Sequence, residues 1–575
     1  MHEVGGDGRD LGDHFHDDAD PDQGQRETVG ALLVPLFRGR AQALYILALP
    51  VVSLVQVLGL PHGEFGQVSF LSYTLTTIRV DTLSLVFGII FHIAAFLSVL
   101  YALHVKDSVQ HVAGLIYAGS AIGAVFAGDL VSLFVYWELT AVSSAFLIWA
   151  RRTERSYEAG IRYLIIQVAS GLLLLVGVIF HAQKTGDITF GFLGLDGLGA
   201  QLIFVAFGIK CAFPLLHNWL QDAYPEATVT GTVFLSAFTT KLAVYALARG
   251  YPGTEILIWI GVIMTAFPIF YAVIENDLRR VLAYSLNNQL GFMVVGVGIG
   301  TEMALNGTVA HAFTHIIYKA LLFMSMGAVL FRTGTINGSE LGGLYKSMPY
   351  TTFFCIVGAA SISAFPLFSG FVSKSLIMTS AAGGAYLWVW LVLLFASAGV
   401  FHHSGIKIPF FAFYAHDSGI RCKEAPWNML LAMGIAAFLC IGIVVYPRPL
   451  YQLLPYPVDY VPYTTTHVIT QLQLLLFSAL AFAVLKRTGI YPPELKATNL
   501  DTDWFYRGLP KLVWRFAGAP IATQLGFIRD GVSKRISQLT IRSPRPIVVS
   551  QMVLLIVFLL FFFLVIDFWQ AWQSE

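Results

Sequence analysis

GIKCAFPLLHNWL, residues 208–220, puts a lysine, a proline and a histidine inside an apolar run long enough to cross a membrane. Proline removes a helix hydrogen bond and clashes with the preceding turn, so backbone groups are freed at mid-depth. In a bilayer such groups are tolerated only where protein or a water-filled cavity receives them. AFPLFSGFVSKSL, residues 364–376, repeats the arrangement, with the tetrapeptide AFPL returning at 364–367 and Lys374 following it. The shared letters alone are weak, because Ala266-Phe267-Pro268 occurs in another span with no lysine beside it. The pairing of proline with lysine carries the weight. Two broken helices in corresponding places point to an inverted repeat with an ion site at the breaks. Two ordinary kinks with lysines snorkelling to the surface are the plainer alternative. The breaks are expected at Pro214 and at Pro366–Gly370, where Gly370 leaves room for water and lends φ/ψ freedom to the unwound turn.

The rest of the chain agrees with a membrane setting. Its 575 residues are 56% hydrophobic and 12% charged, with mean hydropathy +0.70. Soluble proteins carry about 25% charged residues, so this is an all-α, polytopic membrane protein. Apolar runs of span length number fifteen: roughly 42–60, 82–104, 111–127, 129–149, 161–182, 199–218, 229–249, 255–275, 281–300, 305–330, 350–380, 384–403, 427–446, 467–486 and 547–569. Val29–Phe37 is too short to span and is expected at the surface.

Loop charges orient the chain. With the N-terminus in the cytoplasm, the cytoplasmic side holds Arg38, Arg40, Lys106, Arg151, Arg152, Arg155, Arg279, Arg280, Arg332, Lys346, Lys407, Arg421 and Lys423. The other side collects Arg79, Lys184, Arg249 and Arg448. The polar leader at 1–40 lacks a signal-peptide pattern and is expected to be disordered; its His14 and His16 read as part of a solvated tail. Near the C-terminus, Ile521, Leu525, Ile528, Val532, Ile536 and Leu539 form an apolar stripe at helical spacing, with Arg529, Asp530, Lys534 and Arg535 off it. That stripe within 488–546 predicts a surface amphipathic helix acting as a strap, followed by an anchor helix in 547–575.

Seven ionisable residues stand out within apolar stretches: Glu138, Lys210, Lys241, His311, His315, Lys319 and Lys374. A charge at mid-membrane costs about 3 kcal/mol or more, so each needs a partner or a function. His311, His315 and Lys319 are spaced i, i+4, i+8, which stacks them on one helix face. Imidazole titrates near neutrality, and burial disfavours the charged form of an amine, so such a row can hand protons on. Glu138 paired with Lys210 makes a switchable contact. Closed, the ammonium keeps its proton; open, burial favours the neutral amine. Lys241 takes the next position, the histidine face follows, and Lys374 beside the second break is the expected exit. Zinc at His311 and His315 would want a third ligand and haem would want room, and Lys319 one turn on disfavours a nearby cation. No metal or cofactor is expected. GxGxxG, P-loop and CxxC patterns are missing, and the scattered Cys211, Cys355, Cys422 and Cys440 read as packing residues. No basic patch suggests nucleic acid.

The stretches IRVDTLSLVF (78–87), FVYWELTAVSS (134–144), GIKCAFPLLHNWLQDAYPEATVTGTVFLSAFTTKLAVYALAR (208–249), DLRRVLAYSLNNQLG (277–291), HAFTHIIYKALLFMSMGAVLFRTGT (311–335) and FPLFSGFVSKSLI (365–377) resemble the proton-translocating antiporter family. That family joins the A and D subunits of Mrp-type Na⁺/H⁺ antiporters, the antiporter-like subunits of respiratory complex I, and their counterparts in membrane hydrogenases. The chain is most similar to a D-type Mrp subunit with an appended anchor. The resemblance implies inverted five-helix repeats, here set as a first repeat in 111–275 and a second in 276–404. N-terminal helices in 41–110 precede them and C-terminal helices in 405–487 follow. It also implies a pair between Glu138 and Lys210, continued by Lys241, His311, His315, Lys319 and Lys374.

Two departures stand out. Only Val29–Phe37 resembles the tail of the family's first helix, which sets the N-terminus opposite to the family's usual face. Arg279 stands where many members have lysine. The implied function is a proton-carrying membrane subunit of a multisubunit Na⁺/H⁺ antiporter in a bacterial inner membrane, partnered by other membrane subunits. The alternative is the pump module of an NADH:quinone oxidoreductase-like complex or a membrane hydrogenase. Because the core offers bases rather than carboxylates, protons are expected here and any Na⁺ passage elsewhere in the complex.

Overall fold

The computed structural model describes residues 28, 30–70, 72–383, 386–495, 497 and 499–508. The leader histidines, the stripe from Ile521 to Leu539 and the expected span at 547–569 lie outside the described residues. Residues up to Asn499 form one unit, and the described part of the second holds a short helix, Asp503–Arg507.

The first unit is a helical bundle with one β-hairpin. α1 (Gly39–Gly59) leads to β1 (Gly63–Phe70) and β2 (Tyr73–Val80), then α2 (Thr82–Ala102) follows. A first group of five crossings comprises α3 (Ser108–Phe126), α4 (Leu130–Trp149), α5 (Glu154–Thr185), the broken pair α6 (Leu198–Lys210) and α7 (Asn218–Ala223), and the pair α8 (Gly231–Ala237) and α9 (Thr239–Gly250). A second group comprises α10 (Ile256–Ile274), α11 (Leu278–Ile299), α12 (Glu302–Thr333), the broken pair α13 (Pro349–Ile362) and α14 (Ser369–Ala382), and α15 (Leu387–Val400). α16 (Trp427–Val445), the short α17 (Arg448–Gln452) and α18 (Thr465–Arg487) complete the unit. Eleven of the described helical stretches are long and apolar enough to cross a membrane, and each of the first fourteen expected spans has a helix in its place.

The two groups repeat in backbone detail. Asp129 caps α4 by accepting from Val131 N (2.9 Å) and Ser132 N (2.7 Å), and it forms a bridge with Thr189. Asp277 caps α11 by accepting from Arg279 N (2.8 Å) and Arg280 N (3.0 Å), and it bridges Asn337 with the same spacing between partners. The third helices, α5 and α12, have 32 residues each and end on left-handed Gly186 and Gly334. Five crossings per group invert the second relative to the first, so the two Asp caps lie on opposite faces. Asp129 also accepts from Thr76 N at 2.9 Å and Ser132 Oγ at 2.7 Å, which ties the hairpin to α4. Asp129→Ala should therefore lose more than an ordinary cap, about 2 kcal/mol, read as a lowered melting temperature of the purified protein.

Ion pairs tie the loops on each face. Arg249 grips Asp81 with two 2.8 Å hydrogen bonds on the hairpin face. Arg151 reaches Glu226 at 3.1 Å and Lys346 reaches Asp417 at 2.8 Å on the other, arginine-rich face. Arg279 is not a loop charge: it is 1% exposed and donates to the carbonyls of Pro225 (2.9 Å) and Ala227 (3.1 Å) and to Thr232 Oγ1. It thereby pins the 224–228 connection of the first group to the second. A planar five-donor fork suits several carbonyls better than an ammonium does.

Three features differ from the sequence reading. The hairpin at 63–80 leaves no mark in apolar windows of helical length. The seventh span is interrupted at Phe238. The twelfth does not end at 403: α15 continues through π-helical turns at Phe401–Lys407 and Phe410–Tyr414, so Lys407 lies within the span with a buried side chain.

Candidate functional site

Both AFPL segments adopt one conformation. Ala212 and Leu215 in the first, and Ala364 and Leu367 in the second, have φ between 54° and 73°. A non-glycine residue in that region costs about 1 kcal/mol or more, so four such residues mark breaks that the fold maintains. Phe213 N reaches back to Gly208 O and Phe365 N to Ala360 O, both at 3.0 Å. Pro214 and Pro366 sit inside these turns, whereas Pro268 is carried within a continuous α10. Gly370 is glycine for another reason than expected. It is helical, and a Cβ there would fall 2.0 Å from the Ser361 carbonyl oxygen. Close approach of backbone across the break, not φ freedom or a water passage, requires glycine at this position.

Backbone carbonyls receive three of the four lysines. Lys210 Nζ, at the last turn of α6, donates to the Trp137 carbonyl at 2.5 Å and Thr140 Oγ1 at 2.8 Å, and lies 4.4 Å from the Trp137 ring centroid. Lys241 Nζ donates to Ser236 O at 2.5 Å, the carbonyl released by the break at Phe238. Lys374 Nζ reaches Ile362 O at 3.3 Å, at the end of α13, and stands 4.9 Å from the Phe292 ring centroid. Lys319 Nζ has no hydrogen-bond partner among the described residues and lies 5.8 Å from the Phe323 ring centroid. All four lysines are buried.

Glu138 follows Trp137 directly, so its carboxylate stands beside Lys210 and couples to it electrostatically. The two do not form a direct ion pair; the ammonium is on Trp137 and Thr140 instead, and Glu138 Oε1 has no hydrogen-bond partner among the described residues. The expected contact is therefore found open. Glu138 takes this position against a glycine on α5: a Cβ on Gly171 would come within 1.4 Å of Oε1 and push the carboxylate aside. Gly171→Ala should displace the carboxylate and cut transport about tenfold, with the complex still assembled, as read by dye quenching in vesicles.

The α12 face joins the two groups. His315 has no hydrogen-bond partner at either ring nitrogen among the described residues and lies within electrostatic range of Lys241, Lys319, His311 and Lys374. The His311 and His315 ring centroids are 6.1 Å apart. His311 Nε2 faces Gln289 Oε1 at 3.1 Å, which makes it the donor, and Nδ1 meets Ser373 Oγ at 3.1 Å. Ser373 precedes Lys374, so the imidazole is tied to the helix that carries the last lysine. A cavity of about 30 Å³, room for roughly one water, opens against Lys374 between the break, His467 and Gln471. The structure thus sets Glu138 beside Lys210, Lys241 within electrostatic range of Cys211, the residue after Lys210, and the α12 face within range of both Lys241 and Lys374.

Buried neutral amides escaped the sequence reading, because an amide in an apolar run stands out less than a charge. Gln167, Gln221 and Asn287 are buried with side-chain atoms that lack a hydrogen-bond partner among the described residues, and Gln289 accepts from both His311 and Tyr318. Amides in otherwise apolar spans were the available signal. Buried polar atoms without partners are costly, so these positions favour internal water. A separate cavity of about 390 Å³ lies at the hairpin face against Arg79, Asp81 and Arg249, away from the row.

Residues 127–401 match the family described as NADH:quinone oxidoreductase/Mrp antiporter, transmembrane. Hydrogenase-4 component B of Escherichia coli is 26% identical over 415 residues, 64% of this chain and 62% of that protein. The D subunit of the Na⁺/H⁺ antiporter of Alkalihalophilus pseudofirmus is 31% identical over 316 residues, 51% of this chain and 64% of that protein. The chain thus spans somewhat under two thirds of these curated relatives, at 62% and 64% of their lengths. The solved structure of a Mrp complex from Dietzia sp. shares the fold at TM-score 0.72 and 23% identity, covering 94% of this chain and 61% of that one.

Proposed function

We propose, from the match of residues 127–401 to the NADH:quinone oxidoreductase/Mrp antiporter family, that the chain is a proton-translocating membrane subunit of a multisubunit monovalent cation/H⁺ antiporter. One observation carries the reading: a buried row of titratable groups spans both five-helix groups, with three of its lysines held on backbone carbonyls, two of them at helix breaks. A lysine held by a neutral carbonyl can lose its proton without leaving a buried counter-charge behind. A lysine locked to a carboxylate cannot. Opening and closing of Glu138 against Lys210 gates the first transfer. Lys241, Lys319, His315 and His311 pass the proton across, and Lys374 releases it.

The row holds bases and amides, with Glu138 as its carboxylate, so Na⁺ crosses elsewhere in the complex. The arginine-rich face is cytoplasmic, with the N-terminus on that side of a bacterial inner membrane, by the distribution of Lys and Arg. The second reading, a pump module driven by redox partners, is favoured by the similarity to hydrogenase-4 component B. Purification of the native complex separates the two. Small all-membrane subunits together with Na⁺-dependent proton movement in vesicles support the antiporter. Iron–sulfur subunits and proton movement that needs an electron donor overturn it in favour of the pump.

A further inference from the structure

The π-helical extension of α15 carries titratable groups that the row does not use. Lys407 Nζ donates to the carbonyls of Val273 (2.6 Å) and Glu275 (2.7 Å) at the arginine-rich end of α10, and lies 3.7 Å from Glu494 Oε1. One turn inward, His403 is fully buried. Its Nδ1 meets Ser404 Oγ at 2.9 Å, and Ser404 Oγ donates to Ser285 Oγ on α11 at 2.7 Å. Ser404 has spent its proton on Ser285, so it accepts from His403 Nδ1–H, which leaves Nε2 as the acceptor nitrogen. That Nε2 has no hydrogen-bond partner among the described residues. Ser285 is one helical turn from Gln289, which binds His311. The titratable groups within electrostatic reach of His403 are Lys319, His402, Lys407 and Lys374. The π-turn is held where it is by packing, since a Cβ on Gly405 would fall 2.3 Å from Ser363 Oγ, at the second break. π-bulges widen a helix locally and recur at functional positions.

We propose that this segment is a second proton entry, running from the arginine-rich face through Lys407 and Glu494 to His403, Ser404 and Ser285, and recharging Lys319 in each turnover in series with discharge of Lys210, so that loss of either entry stalls the row. The inference rests on the proton-carrying role of the row. A proton taken up at His403 Nε2 releases the one on Nδ1 to Ser404 Oγ. The Ser404 hydroxyl proton passes to Ser285 Oγ, and the Ser285 proton moves on toward the α12 face. Rotation of the two hydroxyls and return of the imidazole to its first tautomer reset the wire. Nothing is consumed but the proton that enters.

The test uses the whole complex in vesicles with a pH-sensitive dye. Ser404→Ala and Ser285→Ala each remove one hydroxyl without adding bulk, and each should lower proton movement about tenfold. Because they interrupt one wire, the double variant should be no slower than either single one. Ser478→Ala, whose hydroxyl donates to Ala398 O at 3.0 Å outside the wire, should transport normally. Losses that multiply in the double variant would mean two independent packing defects and overturn the wire. So would wild-type rates in both single variants. If Lys319→Gln is inactive in that last case, the row still carries protons and only the branch is wrong. If Lys319→Gln is active as well, the proton-carrying reading itself fails.

Discussion

Lys210→Arg should assemble normally and move almost no protons. Guanidinium reaches as far as the lysine ammonium and donates as well, so the contacts with Trp137 O and Thr140 Oγ1 have a ready substitute. What it lacks is chemistry, since its pKa lies above about 12 and it does not release a proton in any physiological cycle. Lys210→Ala removes the carrier and should be equally inactive. Glu138→Gln keeps the shape that Gly171 accommodates but removes the charge that draws the proton back to Lys210. A drop of about hundredfold for the arginine variant corresponds to roughly 2.7 kcal/mol on the slowest transfer. The measurement is dye quenching in vesicles, with native gels to verify assembly. Normal transport by the arginine variant would mean that Lys210 is an electrostatic fixture and not a carrier.

How much of the fold and the row is legible without the structure depends on the kind of signal. Ionisable residues in apolar runs announce themselves by cost, which is why the seven candidates can be named, while buried His403 in the twelfth span is passed over. The two breaks are legible because proline and lysine recur together, and Pro268 stands apart, since no freed carbonyl needs a lysine there. The break at Phe238 has no proline or glycine at the break itself. It becomes visible only through the Lys241 contact with Ser236 O, a tertiary fact. Conformational freedom is the reason sequence supplies for Gly370, while the structure shows backbone crowding against Ser361. Both demand glycine, and sequence alone does not separate them. Gly370→Leu would therefore damage the packing of the break and report nothing about water. Lys407 looks like a loop charge because a window of twenty apolar residues ends the span before it. A π-helical turn adds length that composition does not announce.

The junction between the two groups is where the row is most exposed to a single loss. Lys241 belongs to the first group, His311 and Lys374 to the second, and Lys319 with His315 lies between them on α12. Lys241 and Lys374 rest on backbone carbonyls, but Lys319 Nζ has no hydrogen-bond partner among the described residues. Its ammonium is the least anchored of the four, which suits a carrier that must turn toward either neighbour. Lys319→Gln keeps polarity and most of the length but cannot titrate. It should lower proton movement about twentyfold or more, roughly 1.8 kcal/mol on the barrier, with assembly unchanged. Lys319→His should keep part of the rate, because imidazole still cycles a proton though its reach is shorter. Lys374→Glu should likewise keep part, since a carboxylate can load and release at the cavity beside it. A glutamine at 319 that transports within about twofold of the wild type would leave His315 as the sole bridge. His315→Phe would then have to be inactive, and activity in that variant too would mean that protons do not cross on α12 at all.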